Sequence, residues 1–253
     1  MLRSRHLHLA GLALLIVLGF SVQPMATPTT HIWGPSTDIQ PFKVLHVGHD
    51  LYVPDSKTAD GQRIASINNL GLTIGILPGK KLNAEVGFDY RSGLGIFDDY
   101  PLYFNGKVGI PENAFAPWFP AIGLGLYDFG TKKDMTTYNL FYAKIARTIP
   151  GGKNTLGRLS LGYFVGNEKL LLDENGKKDN SGIMLAWERT MTEWSSKLWL
   201  CAEYQGSKSA YGTFNVGAAW KFTDNIVVIA GYDIYNASNL ANTFTWQLDI
   251  DIR

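Results

Sequence analysis

Cysteine is almost absent: Cys201 is the only one in 253 residues. No intrachain disulfide framework can form, and zinc sites built from several cysteines are excluded. An excess of either charge is also missing. Arg3 and Arg5 are the only charged residues before residue 27, and the remaining Lys and Arg nearly balance the 22 Asp and Glu. That balance argues against a nucleic-acid partner. Beyond the first residues there is no apolar run of the ~18 residues that a membrane helix needs. The nearest is Ala114 to Tyr127, and Pro117 and Pro120 interrupt it. No convincing helical period appears anywhere.

Histidine is scarce too. Past residue 26 only His31, His46 and His49 remain. His46 and His49 lie three apart on a predicted strand, so they face opposite sides and cannot share a metal from that strand. Gly123-x-Gly125 has Asp128 where a third glycine of the dinucleotide fingerprint would stand, and no helix follows. The stretch following Lys169, Leu170 to Asn180, could be taken for a calcium loop. Its Asp, Asn and Gly are better read as turn formers with solvated charges. The sequence therefore assigns no catalytic, metal or cofactor-binding residue, and no cofactor.

What is present begins with a leader. Residues 1–26 have the form of a signal peptide, with Arg3 and Arg5 before an uncharged apolar run from Leu9 to Phe20 and small residues at Ser21 and Ala26. Residues 27–40 follow as a polar lead-in expected in the periplasm. Residues 41–253 then read as strands and turns. The last strand alternates without error: Phe244, Trp246, Leu248, Ile250 and Ile252 are apolar, while Thr243, Thr245, Gln247, Asp249 and Asp251 are polar. Successive strand side chains point to opposite faces, so this is one greasy face and one polar face. Eleven residues suffice to cross a membrane as a tilted strand.

Twelve such strands are predicted, near 41–53, 64–77, 82–91, 101–110, 121–129, 136–149, 156–168, 181–190, 195–206, 210–222, 225–235 and 242–252. Tight turns alternate with longer loops. An even strand count with that alternation is the pattern of single-chain outer-membrane barrels. The expected fold is all-β: a single up-and-down antiparallel transmembrane β-barrel of about 12 strands, both termini periplasmic. A secreted β-sandwich alternates as well. The long strands and the aromatics near strand ends, among them Tyr90, Tyr103, Trp118, Trp194, Tyr235 and Trp246, favour the membrane. Glycines on the polar faces, such as Gly75, Gly109, Gly123 and Gly217, would leave room in a crowded lumen.

The closing strand resembles the assembly signal of outer-membrane barrels, except that it ends Ile252-Arg253 without a terminal aromatic. The segments V86-G-F-D-Y-R91, Y100-P-L-Y-F-N-G-K107, A121-I-G-L-G-L-Y-D-F-G130 and Y142-A-K144 resemble parts of the YjbH-like barrels, which are linked to exopolysaccharide production. That resemblance implies polysaccharide-export partners and nothing catalytic. Outer-membrane phospholipases and lipid A deacylases carry a His-x-Ser pair on one strand face. Here Trp33, Gly48 and Leu51 stand two residues after each histidine, so the nucleophile–base pair is missing. Asp98-Asp99 and His49-Asp50 could imitate the acid and Asp-His couples of barrel proteases, but paired acids in a loop are more simply solvated.

The polar strand faces remain. Glu85, Asp89, Arg91, Lys107, Arg158, Glu188, Lys197, Glu203, Lys221, Asp249 and Asp251 are expected to line the lumen, because Arg or Lys facing lipid at mid-depth costs roughly 2–4 kcal/mol. They would either line a pore or pair with one another and narrow it, Asp249 and Asp251 against Lys43. Phe244, Trp246, Leu248, Ile250 and Ile252 are expected to face lipid. The function expected is a non-enzymatic outer-membrane barrel, a narrow passive channel or a structural barrel. A polysaccharide-export component and an outer-membrane hydrolase are the alternatives. Outer-membrane lipid, lipopolysaccharide and the barrel-assembly machinery of a Gram-negative envelope are the expected partners.

Overall fold

The computed structural model describes residues 29–151 and 154–253. The leader read at residues 1–26 lies outside the described residues. Alternation of apolar and polar residues produces twelve strands: β1 (Leu45–Pro54), β2 (Ile67–Gly75), β3 (Asn83–Ser92), β4 (Leu102–Ile110), β5 (Ala121–Gly130), β6 (Thr137–Gly151), β7 (Asn154–Val165), β8 (Ser181–Thr190), β9 (Leu198–Gln205), β10 (Thr213–Lys221), β11 (Ile226–Tyr235) and β12 (Thr243–Ile252). One short helix, α1 (Gly95–Asp99), sits in the loop between β3 and β4. Each strand is antiparallel to its sequence neighbours, and β1 pairs with β12 from Leu45↔Ile252 to Pro54↔Thr243. The sheet is thereby a closed up-and-down barrel with no free edge.

The two faces separate as the period of two requires. Phe244, Trp246, Leu248 and Ile252 are exposed on the outside of β12, and Ile250 is partly so. Thr243, Thr245, Gln247 and Asp251 on the same strand are buried. The outer wall continues through Val86 and Phe88, Leu159 and Leu161, and Phe214 and Val216, all exposed. Such a wall, with every strand edge paired, is suited to hydrocarbon. Two of the aromatics expected at the strand ends are turned inward instead. Tyr103 is fully buried, and Tyr235 packs edge-on to Trp33 at 5.5 Å between ring centroids. Both occupy the inward phase of their strands.

β5 breaks the alternation once. The register with β4 and β6 shifts around Asp128, which has a positive φ of 57°. This β-bulge turns Asp128 into the interior, where it is 2% exposed. The loop between β7 and β8 also reaches inside. Leu171 joins Leu140, Tyr142, Phe164, Met184 and Tyr211 in a buried apolar cluster. The charges of that loop close a turn: Asp173 accepts backbone N–H bonds from Asn175 at 2.9 Å and Lys177 at 2.8 Å.

Candidate functional site: a lumen filled by the chain's own N-terminal segment

Of the segment expected as a periplasmic lead-in, the described residues 29–40 run within the barrel. Ile32, His31, Ser36, Thr37 and Gln40 are at most 3% exposed. Residues 29–36 form a tight turn, with His31 N–H donating to Gly34 O at 2.8 Å and Ser36 N–H to Thr29 O at 3.1 Å. The turn is polar in sequence and has no period of its own. Its backbone groups need partners once buried, and the strand side chains provide them.

Glu203 of β9 is the main anchor. Its carboxylate accepts the backbone N–H of Ile32 at 2.9 Å, Trp33 at 2.5 Å and Gly34 at 3.1 Å. Hydrogen bonds to a charged group contribute more than neutral ones, roughly 1.5–3 kcal/mol each. Two lysines hold the other side of the turn. Lys144 of β6 donates to Pro35 O at 3.0 Å and Lys107 of β4 to Thr29 O at 2.7 Å. Gln247 donates to Ile32 O at 2.6 Å. Further along, Arg158 pairs with Asp38 at 2.7 Å, Glu85 accepts Gln40 N–H at 2.5 Å, and Gln40 donates its amide to Asp251 at 2.9 Å. Glu188 lies 3.4 Å from His31.

Interior glycines make the seat. A Cβ added at Gly217 would come within 2.8 Å of Ile32, one at Gly109 within 2.9 Å of Ile39, and one at Gly123 within 3.2 Å of the Thr37 backbone. Gly123→Leu is therefore expected to push residues 36–38 off the wall. The readout is faster protease cleavage of the N-terminal segment, while the folded barrel keeps its mobility on an unheated gel. Unchanged cleavage would mean the segment does not rest there.

Of the residues expected to line the lumen, Glu85, Lys107, Arg158, Glu188, Glu203 and Asp251 face the interior and engage the plug. Asp89 and Arg91 lie above it. Asp89 accepts from Asn69 and Asn105, at 3.2 and 2.9 Å. Arg91 pairs with the bulge residue Asp128 at 2.5 Å. Asp249 and Asp251 do not pair with Lys43, which is exposed and left-handed just before β1. Their partner is His46, with Nε2 at 3.3 Å from Asp249 and Nδ1 at 3.0 Å from Asp251. Lys197 is not in the lumen: β9 begins only at Leu198, so Lys197 falls in an exposed turn. Lys221 ends β10 and pairs with Asp224 of the adjoining turn at 3.2 Å.

Reading the sequence missed His31, Lys144, Asp128 and Tyr211. The inward phase of β6 could have shown Lys144, since it alternates with Ala143 and Ile145. Asp128 was hidden by the bulge. Tyr211, in the loop before β10, donates to Asp128. Burial, with the Asp128 carboxylate beside it, holds the Tyr211 hydroxyl well above the ordinary phenol range, so it remains a donor.

A closed antiparallel barrel with an apolar outer wall and a charged interior is a transmembrane β-barrel of the outer-membrane type. This one carries its own plug. Its fold is similar to that of an outer membrane channel from Pseudomonas putida F1, at 11% identity and a TM-score of 0.48 over 85% of this chain and 97% of that one. It is similar too to the KdgM porin, at 9% identity and a TM-score of 0.48 over 83% and 99%, and to the NanC porin, at 10%, 0.48, 83% and 99%. Identities this low concern the fold alone. No family model and no curated protein matches the chain.

Proposed function

We propose that this protein is a non-enzymatic outer-membrane barrel that acts as a narrow passive channel, nearly closed by residues 29–40. The observation that carries the reading is the lumen itself. Twelve strands enclose more space than the eight whose side chains just fill the interior, and here the chain's own segment takes up the difference. Beside the plug there is a polar cavity of about 150 Å³, lined by His46, Asp50, Asp89, Arg91, Lys107 and Asp249 among others. That is room for a few waters or a small ion. Charges of both signs line it, so selectivity is weak.

The interior geometry supports the non-enzymatic reading. Both ring nitrogens of His46 are engaged by carboxylates, leaving none to activate a nucleophile. His31 is enclosed by Glu188, Glu203 and Lys144 inside the plug. A polysaccharide-export role rests on the texture of residues 86–144 alone, and a polymer would have no passage past the plug. In this reading the termini face the periplasm, the long loops face outward, and the partners are outer-membrane lipid, lipopolysaccharide and the assembly machinery. The test is a planar-bilayer conductance trace of the refolded full chain. Small, weakly selective steps are expected. Steps on the scale of a general porin would overturn the reading.

A further inference from the structure

The end of the barrel away from the C-terminus holds a second cavity, of about 470 Å³, which adjoins the polar space beside the plug and shares Trp33, Tyr52, Arg91 and Asp128 with it. This volume lies within the range of small-molecule sites, about 300–1,000 Å³. Its floor is Trp33, at the tip of the plug, held edge-on between Tyr52 and Tyr235 with both ring centroids at 5.5 Å. Tyr127, Tyr138 and Tyr211 form one wall, with centroids of successive rings 5.4 to 6.2 Å apart. Ile96 and Phe97 of α1 and Leu240 of the loop before β12 form the rim.

The polar chemistry of the cavity is sparse and neutral. Arg91 and Asp128 face it as a closed ion pair, with Tyr211 also donating to Asp128. Neither charge is available to a ligand ion. The hydroxyls of Tyr52 and Tyr138 form no hydrogen bond among the described residues. A packed core would have filled such a space; here aromatic side chains line it and leave it open. Aromatic walls with a few oriented hydroxyls recognise an apolar ring bearing a hydrogen-bonding group.

We propose that this vestibule is a binding site for a neutral, largely apolar small molecule carrying a hydroxyl, with Trp33 as the surface on which its ring packs. The inference concerns the vestibule and does not depend on what the plugged lumen conducts. The probe is a bromonaphthol, whose heavy atom quenches tryptophan fluorescence on contact, added to the full chain in lipid nanodiscs. Saturable quenching is expected, and the saturable part should vanish in Trp33→Phe. Ala241→Phe, at the rim of the cavity, should weaken binding by about tenfold or more, a cost of about 1.4 kcal/mol. Linear quenching that is the same in Ala241→Phe would show partition into lipid and overturn the proposal. Saturable quenching that survives in Trp33→Phe would place the site elsewhere and overturn it equally. Displacement of the probe by maltotriose at lower concentration would make the site one for carbohydrate and overturn the stated ligand class.

Discussion

Deleting residues 29–40 should raise single-channel conductance by roughly an order of magnitude, since a twelve-stranded barrel emptied of its plug is wider than side chains alone can fill. The wall should survive the deletion. All twelve strand pairings, including the β1–β12 seam, lie outside the deleted residues. The side chains released, Glu85, Glu203, Lys107, Lys144 and Arg158, would exchange the plug for water, at little cost once the lumen is wet. Because both signs of charge are uncovered, the enlarged pore should remain weakly selective. Glu203→Ala gives the same test with less disruption. It leaves the amides of Ile32, Trp33 and Gly34 without their acceptor, and a buried donor left unpaired costs about 1–3 kcal/mol. Brief openings to the deleted level are expected in this variant. If the deleted barrel, shown folded by its gel mobility, conducts no more than the full chain, residues 29–40 do not close the path.

The second large effect is expected at the seam. Leu248 lies on the outer face of β12, opposite His49 of β1 and Val228 of β11. Leu248→Arg, or Trp246→Lys beside it, places a charge against lipid at a cost of roughly 2–4 kcal/mol. The cost falls on the strand that must close the barrel, so the yield of folded protein in membranes should drop severalfold. The unheated, faster-running gel species measures that yield. Asp249→Asn changes the neighbouring interior position, where an amide can still hydrogen-bond to His46. Its yield should stay close to that of the unmodified protein. Equal yields for all three variants would mean that the inner and outer faces have been exchanged.

The sequence by itself determined the wall. A period of two is a local property, written in each strand, and it decides which side chains face lipid whatever the strand's neighbours are. The alternation of Phe244 to Ile252 with Thr243 to Asp251 placed both faces of the closing strand, and the inward phase of Glu85, Lys107, Glu203 and Asp251 followed by the same rule. Lys197 shows where the rule ends: it holds only within a strand, and the chain is in a turn at that point. What fills the interior was decided by tertiary structure alone. Residues 29–40 have no period and no apolar face, and nothing in their composition separates a tail outside the barrel from a plug inside it. Their place is set largely by backbone amides and carbonyls meeting Glu203, Lys107 and Lys144, which come from strands far apart in sequence, with Asp38 and Gln40 adding side-chain contacts to Arg158 and Asp251. Backbone groups are the same in every residue, so a site that recognises them leaves no motif. Asp128 is a similar case: one bulged residue reversed its direction, so that Arg91 of β3 meets it across β4 and Tyr211 is brought to it from the loop before β10.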